Sequence, residues 1–517
     1  MYEMLVLAFG IGPGPRIFTK LMKVPLTVLR RLLLIIIAYL DDLLLIGRTL
    51  EEALMARDSV LFLLQVLGFT INWEKSVLQP TQVMEFLGMK IDSQKMEISL
   101  PEEKLTALKD LCKQTLKAKT LSVRELASLI GKLYATLPAV SMAPLQIRSL
   151  QQDLIRAQSN HKNYENYIQL SQEAKEELQW WLNNLQLVQG RPVRLGTPDM
   201  VIYSDASSHI GWGAAVEGGM STGGVWTQQE KDAYHINELE LMGAELALQT
   251  FVKDQKMKLV HLFMDNMTAL SYIANKGGTK SVTLTSIAKR ILTYLQDRGI
   301  TITVSWIPSH LNKRADFRSR QKPNSSEWKL NTGVFARISR KWGTPKIDCF
   351  ASRTTAQLPQ YMSLNPDPNC MATNALYQQW GEYPYLFPPF CLLGRVLKLL
   401  QVQETPKALI VAPLWPGQPW YPVLLQMVVA NPILLPKFPK LLENHQGQIH
   451  PLLANKTLSL GAFLVSSSEY KQREYRRDLP KSWPVQEDQG PSALTSRLGK
   501  DGFCGVIRGR LIPLDAL

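Results

Sequence analysis

Two apolar runs that each close on an aspartate constrain this chain more than any other feature. Val201 to Ser204 reads as a strand ending at Asp205, and Lys258 to Met264 as a strand ending at Asp265. Gly211 to Val216 and Val225-Trp226 suggest two further strands, and Asn237 to Phe251 has the spacing of an amphipathic helix that carries Glu240. Asn266 to Asn275 and Ser281 to Arg298 read as helices. Ile300, Ile302, Val304 and Trp306 then alternate with Thr301, Thr303 and Ser305, the period of a half-buried strand. A short helix carries Ala315 and Asp316. The order βββαβααβα is α/β, and open sheets of this class hold ligands at strand ends.

Four acids, Asp205, Glu240, Asp265 and Asp316, can therefore converge on one sheet edge. Carboxylates brought together repel, and such a cluster makes sense chiefly when cations neutralise it. Two Mg²⁺ ions about 3.5–4 Å apart would activate a water and stabilise the leaving oxygen of a phosphodiester. The bland alternative is four unrelated surface acids. Glu238 competes with Glu240 for the helical position.

The rest of the chain sets the context. At 517 residues it exceeds a single core, and 45% hydrophobic with 20% charged residues excludes a disordered or fibrous protein. The expected class is α/β multidomain, divided at 1–98, 99–195, 196–322, 323–436 and 437–517. Pro101 to Leu187 is helix-patterned with breaks at Pro138 and Pro144, and Gly190 to Pro198 reads as a linker. Residues 437–517 are expected to be a mostly disordered tail, because after Glu469 the chain turns polar and rich in Lys, Arg, Pro and Gly. Five scattered cysteines without a CxxC pair argue against a disulfide scaffold or structural zinc and for a reducing, intracellular setting, cytoplasm or nucleus. The longest apolar run, Leu32 to Leu40, is far short of the ~20 residues that cross a bilayer, and no secretory signal opens the chain. A net charge of +14 favours a polyanionic partner.

Upstream, Tyr39 to Asp42 (YLDD) lies between two apolar strands. Asp41 and Asp42 at a hairpin tip can hold a divalent ion beside a phosphate, although a solvated Asp-Asp turn explains the dipeptide alone. Around it stand FGIGPGPRIFTKLMK (Phe9 to Lys23), GFTINWEKS and FLGMKID (Phe86 to Asp92). This arrangement resembles the second half of a reverse transcriptase palm. The resemblance makes the glycine–proline segment, with Gly10 and Pro15, the helix under template and nucleotide. It makes Tyr39, Asp41 and Asp42 the catalytic hairpin, and Phe86 and Gly88 part of the primer-gripping hairpin. Residues 122–154 and EELQWW resemble the thumb and connection of DIRS-type, tyrosine-recombinase-encoding retrotransposons, and the likeness runs from about residue 9 to 436.

The four-acid unit is similar to RNase H, including Gly211, Trp212, Gly213 and Asn312; the family frame selects Glu240 over Glu238. His310 matches a mobile histidine often found there, though a plain polar loop residue is as good a reading. Phe317-Arg318 departs from the usual ADxLSR ending. The implied substrate is an RNA–DNA hybrid, with Mg²⁺ as cofactor. Lys113, Lys117, Lys119, Arg124 and Lys132 are its expected phosphate contacts, or else a solvated helix face. The family implies a companion tyrosine recombinase. Only eight residues precede Phe9, and Glu3 is their one acid, so fingers and the first palm carboxylate are expected to be missing and DNA synthesis lost. Two rivals stand: a catalytically dead nucleic-acid-binding remnant, and a base methyltransferase. The second rests on FPPF (Phe387 to Phe390), which lacks the Asp, Asn or Ser that would accept an amino hydrogen, so proline–aromatic packing competes with it.

Overall fold

The computed structural model describes residues 12–160, 164–253, 257–321, 327–444, 448–482 and 502–517. The chain divides into two compact units, Met1–Leu195 and Gly196–Leu517.

In the first unit, strands Ile35–Tyr39 and Asp42–Ile46 form an antiparallel hairpin. Its Ile36 packs with Met22, Leu26 and Leu29 of the helix Gly14–Arg31 and with Val60 and Leu64 of the helix Leu50–Val66. The second helix begins where Thr49 accepts the Glu52 N–H, and it ends at Gly68, whose φ of +83° lets Phe69 N–H reach the Leu64 carbonyl. Strands Val83–Phe86, Met89–Asp92 and Glu97–Ser99 form an antiparallel sheet whose fourth strand is Arg191–Pro192. Part of the expected linker is thus a sheet edge. Four helices, Glu102–Lys117, Val123–Tyr134, Arg148–Asn160 and Gln172–Val188, enclose a core that includes Leu126, Leu133, Ile147, Leu150, Leu178 and Trp181. The buried Glu177 accepts the Ser149 and Leu150 N–H groups, which have no carbonyl partner within the helix they open.

The second unit opens with a five-stranded sheet. Met200–Ala206 lies at its centre, antiparallel to Gly211–Val216, which pairs with Ser221–Val225; on the other side Leu259–Met264 and Thr301–Trp306 run parallel to it. Across one face lies the helix Ile236–Phe251. It is buried continuously from Leu239 to Leu248, so the expected amphipathic face is absent: the sheet and the helix Val282–Gln296 both pack against it. Arg290 of that second helix reaches Glu245 with two hydrogen bonds, 2.9 and 2.6 Å. The strand Thr301–Trp306 is an edge, with Trp306 half exposed, which blurs the alternation read from its sequence.

A six-stranded sheet follows, ordered Ile347–Asp348, Pro384–Leu386, Ala408–Pro413, Leu460–Val465, Ile433–Leu434 and Asp515–Ala516. The described residues of 437–517 thus form strands and helices where a mostly disordered tail was expected. Leu460–Val465 pairs along its whole length with Ala408–Pro413, and Phe503–Ile507 pairs with Arg510–Pro513 around Arg508 and Gly509, both at positive φ. Short apolar strands here are diluted by polar neighbours, so averaged composition hides them. Among the described residues no helix is long and apolar enough to cross a membrane.

Candidate metal centre

Asp205 is the next-to-last residue of the central strand, facing Gly213 across the antiparallel pair. Glu240 descends from the buried helix. A Cβ at Gly243 would stand 3.4 Å from the Asp205 carbonyl oxygen, so the small residue lets the helix come close over the strand end. Asp265 directly follows Leu259–Met264; Ser309 donates to its carboxylate at 2.7 Å and the Trp306 indole N–H to its carbonyl at 2.9 Å. One carboxylate oxygen from each of Asp205, Glu240 and Asp265 lies within 4.8 Å of the others.

Burial and mutual repulsion make this cluster costly when empty of cations. Asp205 is 4% exposed; burial, opposed by a hydrogen bond from Ser319 and reinforced by the charges of Asp265 and Asp316, pushes it up to about 6. Glu240, 7% exposed, is pushed up to about 9 by burial and by Asp205 and Asp265, even though the Ala206 N–H donates to it. Hard oxygen donors from three separate elements suit Mg²⁺, which binds through a few carboxylates while keeping several waters. The residues present fit such an ion.

Asp316 stands apart from the three. It lies on the helix Lys313–Ser319, and its carboxylate accepts the Arg320 Nε–H at 2.6 Å. Glu238 does separate work: it receives the His235 N–H at 3.0 Å in a capping box. His310 is exposed on the loop before that last helix. The departure at Phe317-Arg318 is absorbed at the surface, because Phe317 is exposed and the Arg318 side chain lies over the strand Ser221–Val225, bonded to Ser221. Two supporting residues escaped the sequence reading: Ser319, fully buried, donates to Asp205, and Ser309 donates to Asp265. Asn312, named with the RNase H-like pattern, donates to the Ser204 carbonyl at 2.9 Å. Ser319 stands one helical turn after Asp316, a spacing that could have flagged it only once the helix was known to dock on the strand.

The residues expected to form a palm behave differently. Tyr39 and Asp42 pair at the hairpin end, Leu40 has φ +53°, and both aspartates are exposed. Among the described residues, neither belongs to a group of three potential metal ligands. Pro15 lies in the first turn of the helix Gly14–Arg31, whereas Gly10 falls outside the described residues. Phe86 pairs with Met89 across a tight turn whose two central residues, Leu87 and Gly88, are both at positive φ, and Lys104 donates to the Gly88 carbonyl at 2.7 Å. Lys113, Lys117, Lys119, Arg124 and Lys132 are exposed, and Arg124 is already engaged by Glu165 at 2.6 Å. In FPPF, Phe387 and Pro388 are buried, and Phe390 meets Trp415 edge-on at 5.4 Å.

Residues 1–91 match the family described as reverse transcriptase (RNA-dependent DNA polymerase). That stretch is similar to reverse transcriptases. No curated protein matches. Among solved structures, the foamy viral protease-reverse transcriptase in complex with dsDNA is 20% identical, covering 58% of this chain and 59% of that one at a TM-score of 0.32. The same viral protein in complex with an RNA/DNA hybrid is 18% identical, covering 62% and 41%, also at 0.32. A further form with dsDNA gives 20%, 56%, 49% and 0.32. The chain spans about half the length of these structures.

Proposed function

We propose that this chain is the reverse transcriptase–RNase H region of a DIRS-type retroelement and that its second unit hydrolyses the RNA strand of RNA–DNA hybrids. The observation that carries the reading is the convergence of Asp205, Glu240 and Asp265 from two strand ends and one helix. A divalent ion held there would supply a Lewis acid and a more acidic water. Ser319 holds one oxygen of Asp205, leaving the other free to face the ion, and Ser309 does the same for Asp265. Asp316 contributes a fourth charge beside them. Basic residues on the helices of the first unit would hold the hybrid through its phosphates. The foamy viral relatives, seen with dsDNA and an RNA/DNA hybrid, are in keeping with that substrate class. Asp41 and Asp42 belong to the reverse transcriptase segment but not to the nuclease centre. Burial of Phe387 and Pro388 supports packing over base methylation for FPPF. The test is Mg²⁺-dependent cleavage of a labelled RNA–DNA duplex by the full chain.

A further inference from the structure

We propose that Arg320 is a built-in counter-cation of the carboxylate centre, which keeps Asp316 occupied and yields it when a second divalent ion binds; this rests on the nuclease reading above. Asp316 lies outside the set of three mutually close carboxylates, and its nearest charge is the Arg320 guanidinium, four residues on and 2.6 Å away. The charge of Arg320 also bears on Asp205, Glu240 and Asp265. The two arginines of this helix are committed elsewhere. Arg314 donates to the carbonyls of Val216 and Gly219, and Arg318 to Ser221 and Gln321.

The backbone beneath the pair is fixed while the pair itself is free to exchange. Asn312 and Ser319 clamp the two ends of the helix onto the central strand, and a Cβ at Gly213 would collide with the Ala315 carbonyl, so the helix has no room to shift inward. The Arg320 side chain is 67% exposed, and an ion pair so placed is weak and salt-screened. Asp316 can therefore change partners by side-chain rotation alone. Arg320 makes the metal-free state tolerable and at the same time competes for the ligand that a second ion needs.

Calorimetric titration of Mg²⁺ into the full chain, without nucleic acid, separates the possibilities. Arg320→Gln should bind Mg²⁺ about three- to tenfold more tightly than wild type at roughly 50 mM salt, with the gap closing near 0.5 M. Arg320→Lys, which keeps the charge, should stay near wild type, and Asp316→Asn added to Arg320→Gln should cancel the gain. Unchanged or weaker binding by a folded Arg320→Gln overturns the proposal. Binding by wild type that Asp265→Asn does not diminish, or no binding at all, instead overturns the nuclease reading itself.

Discussion

Gly213 shows how closely the centre is built. A Cβ there would lie 2.1 Å from the Ala315 carbonyl oxygen and 2.4 Å from the Ser319 nitrogen, both backbone atoms that cannot step aside cheaply. Gly213→Ala is expected to lower stability by about 2–4 kcal/mol in thermal unfolding and to reduce cleavage, because it drives the Ser319 helix off the strand. Glu240 gives a pH signature. Its folded value near 9 exceeds the ordinary 4.5, so the folded state binds the proton more strongly and stability falls as pH rises from about 5 to 9. In chelator, Glu240→Gln should remove that slope and unfold at a higher temperature than wild type at pH 9; a parallel pH dependence of the two would contradict the assignment. Asp205 and Asp265 were legible because acids at strand ends stand out against apolar runs, whereas Glu240, inside a helix, needed the family frame to be chosen over Glu238. Ser319 and Arg320 were not, since nothing in a serine or arginine announces which carboxylate it will meet until the helix is docked.

At the scale of elements, periodicity located most of the strands and helices it named between residues 200 and 320 to within a residue or two. It misjudged environment. The helix Ile236–Phe251 was read as amphipathic, yet Leu241, Ala244 and Ala247 are buried alongside Glu240 and Glu245, because polar side chains inside this helix find partners instead of solvent. Leu460–Val465 was missed for the opposite reason: six apolar residues in a polar region become a central strand only through pairing with Ala408–Pro413, a contact across some fifty residues that no local pattern encodes. The FPPF segment closes the strand Pro384–Leu386 and packs toward Trp415 and His450. Pro388→Ala should lower the unfolding temperature of the C-terminal sheet and leave hybrid cleavage nearly intact. Methyl transfer to DNA by wild type, lost in this variant, would reverse that reading.

Over the whole molecule, a net charge of +14 makes the backbone of a nucleic acid the natural counterpart. If ~6–10 phosphates are neutralised, hybrid affinity should fall by about 10³–10⁵ between roughly 50 and 200 mM salt, and show little sequence preference. A flat salt response would remove electrostatics as the basis of binding. The segment that matches the reverse transcriptase family and the carboxylate centre belong to separate units, so substitutions can address each alone. The decisive measurement is cleavage of a labelled RNA–DNA duplex in Mg²⁺ by wild type, Asp265→Asn and Asp41→Asn prepared side by side. Asp265→Asn keeps the shape and removes a ligand charge, and should abolish cutting of the RNA strand, whereas Asp41→Asn should cut at the wild-type rate. No cleavage by wild type, or loss of cleavage in Asp41→Asn with Asp265→Asn still active, would contradict a nuclease centred on Asp205, Glu240 and Asp265.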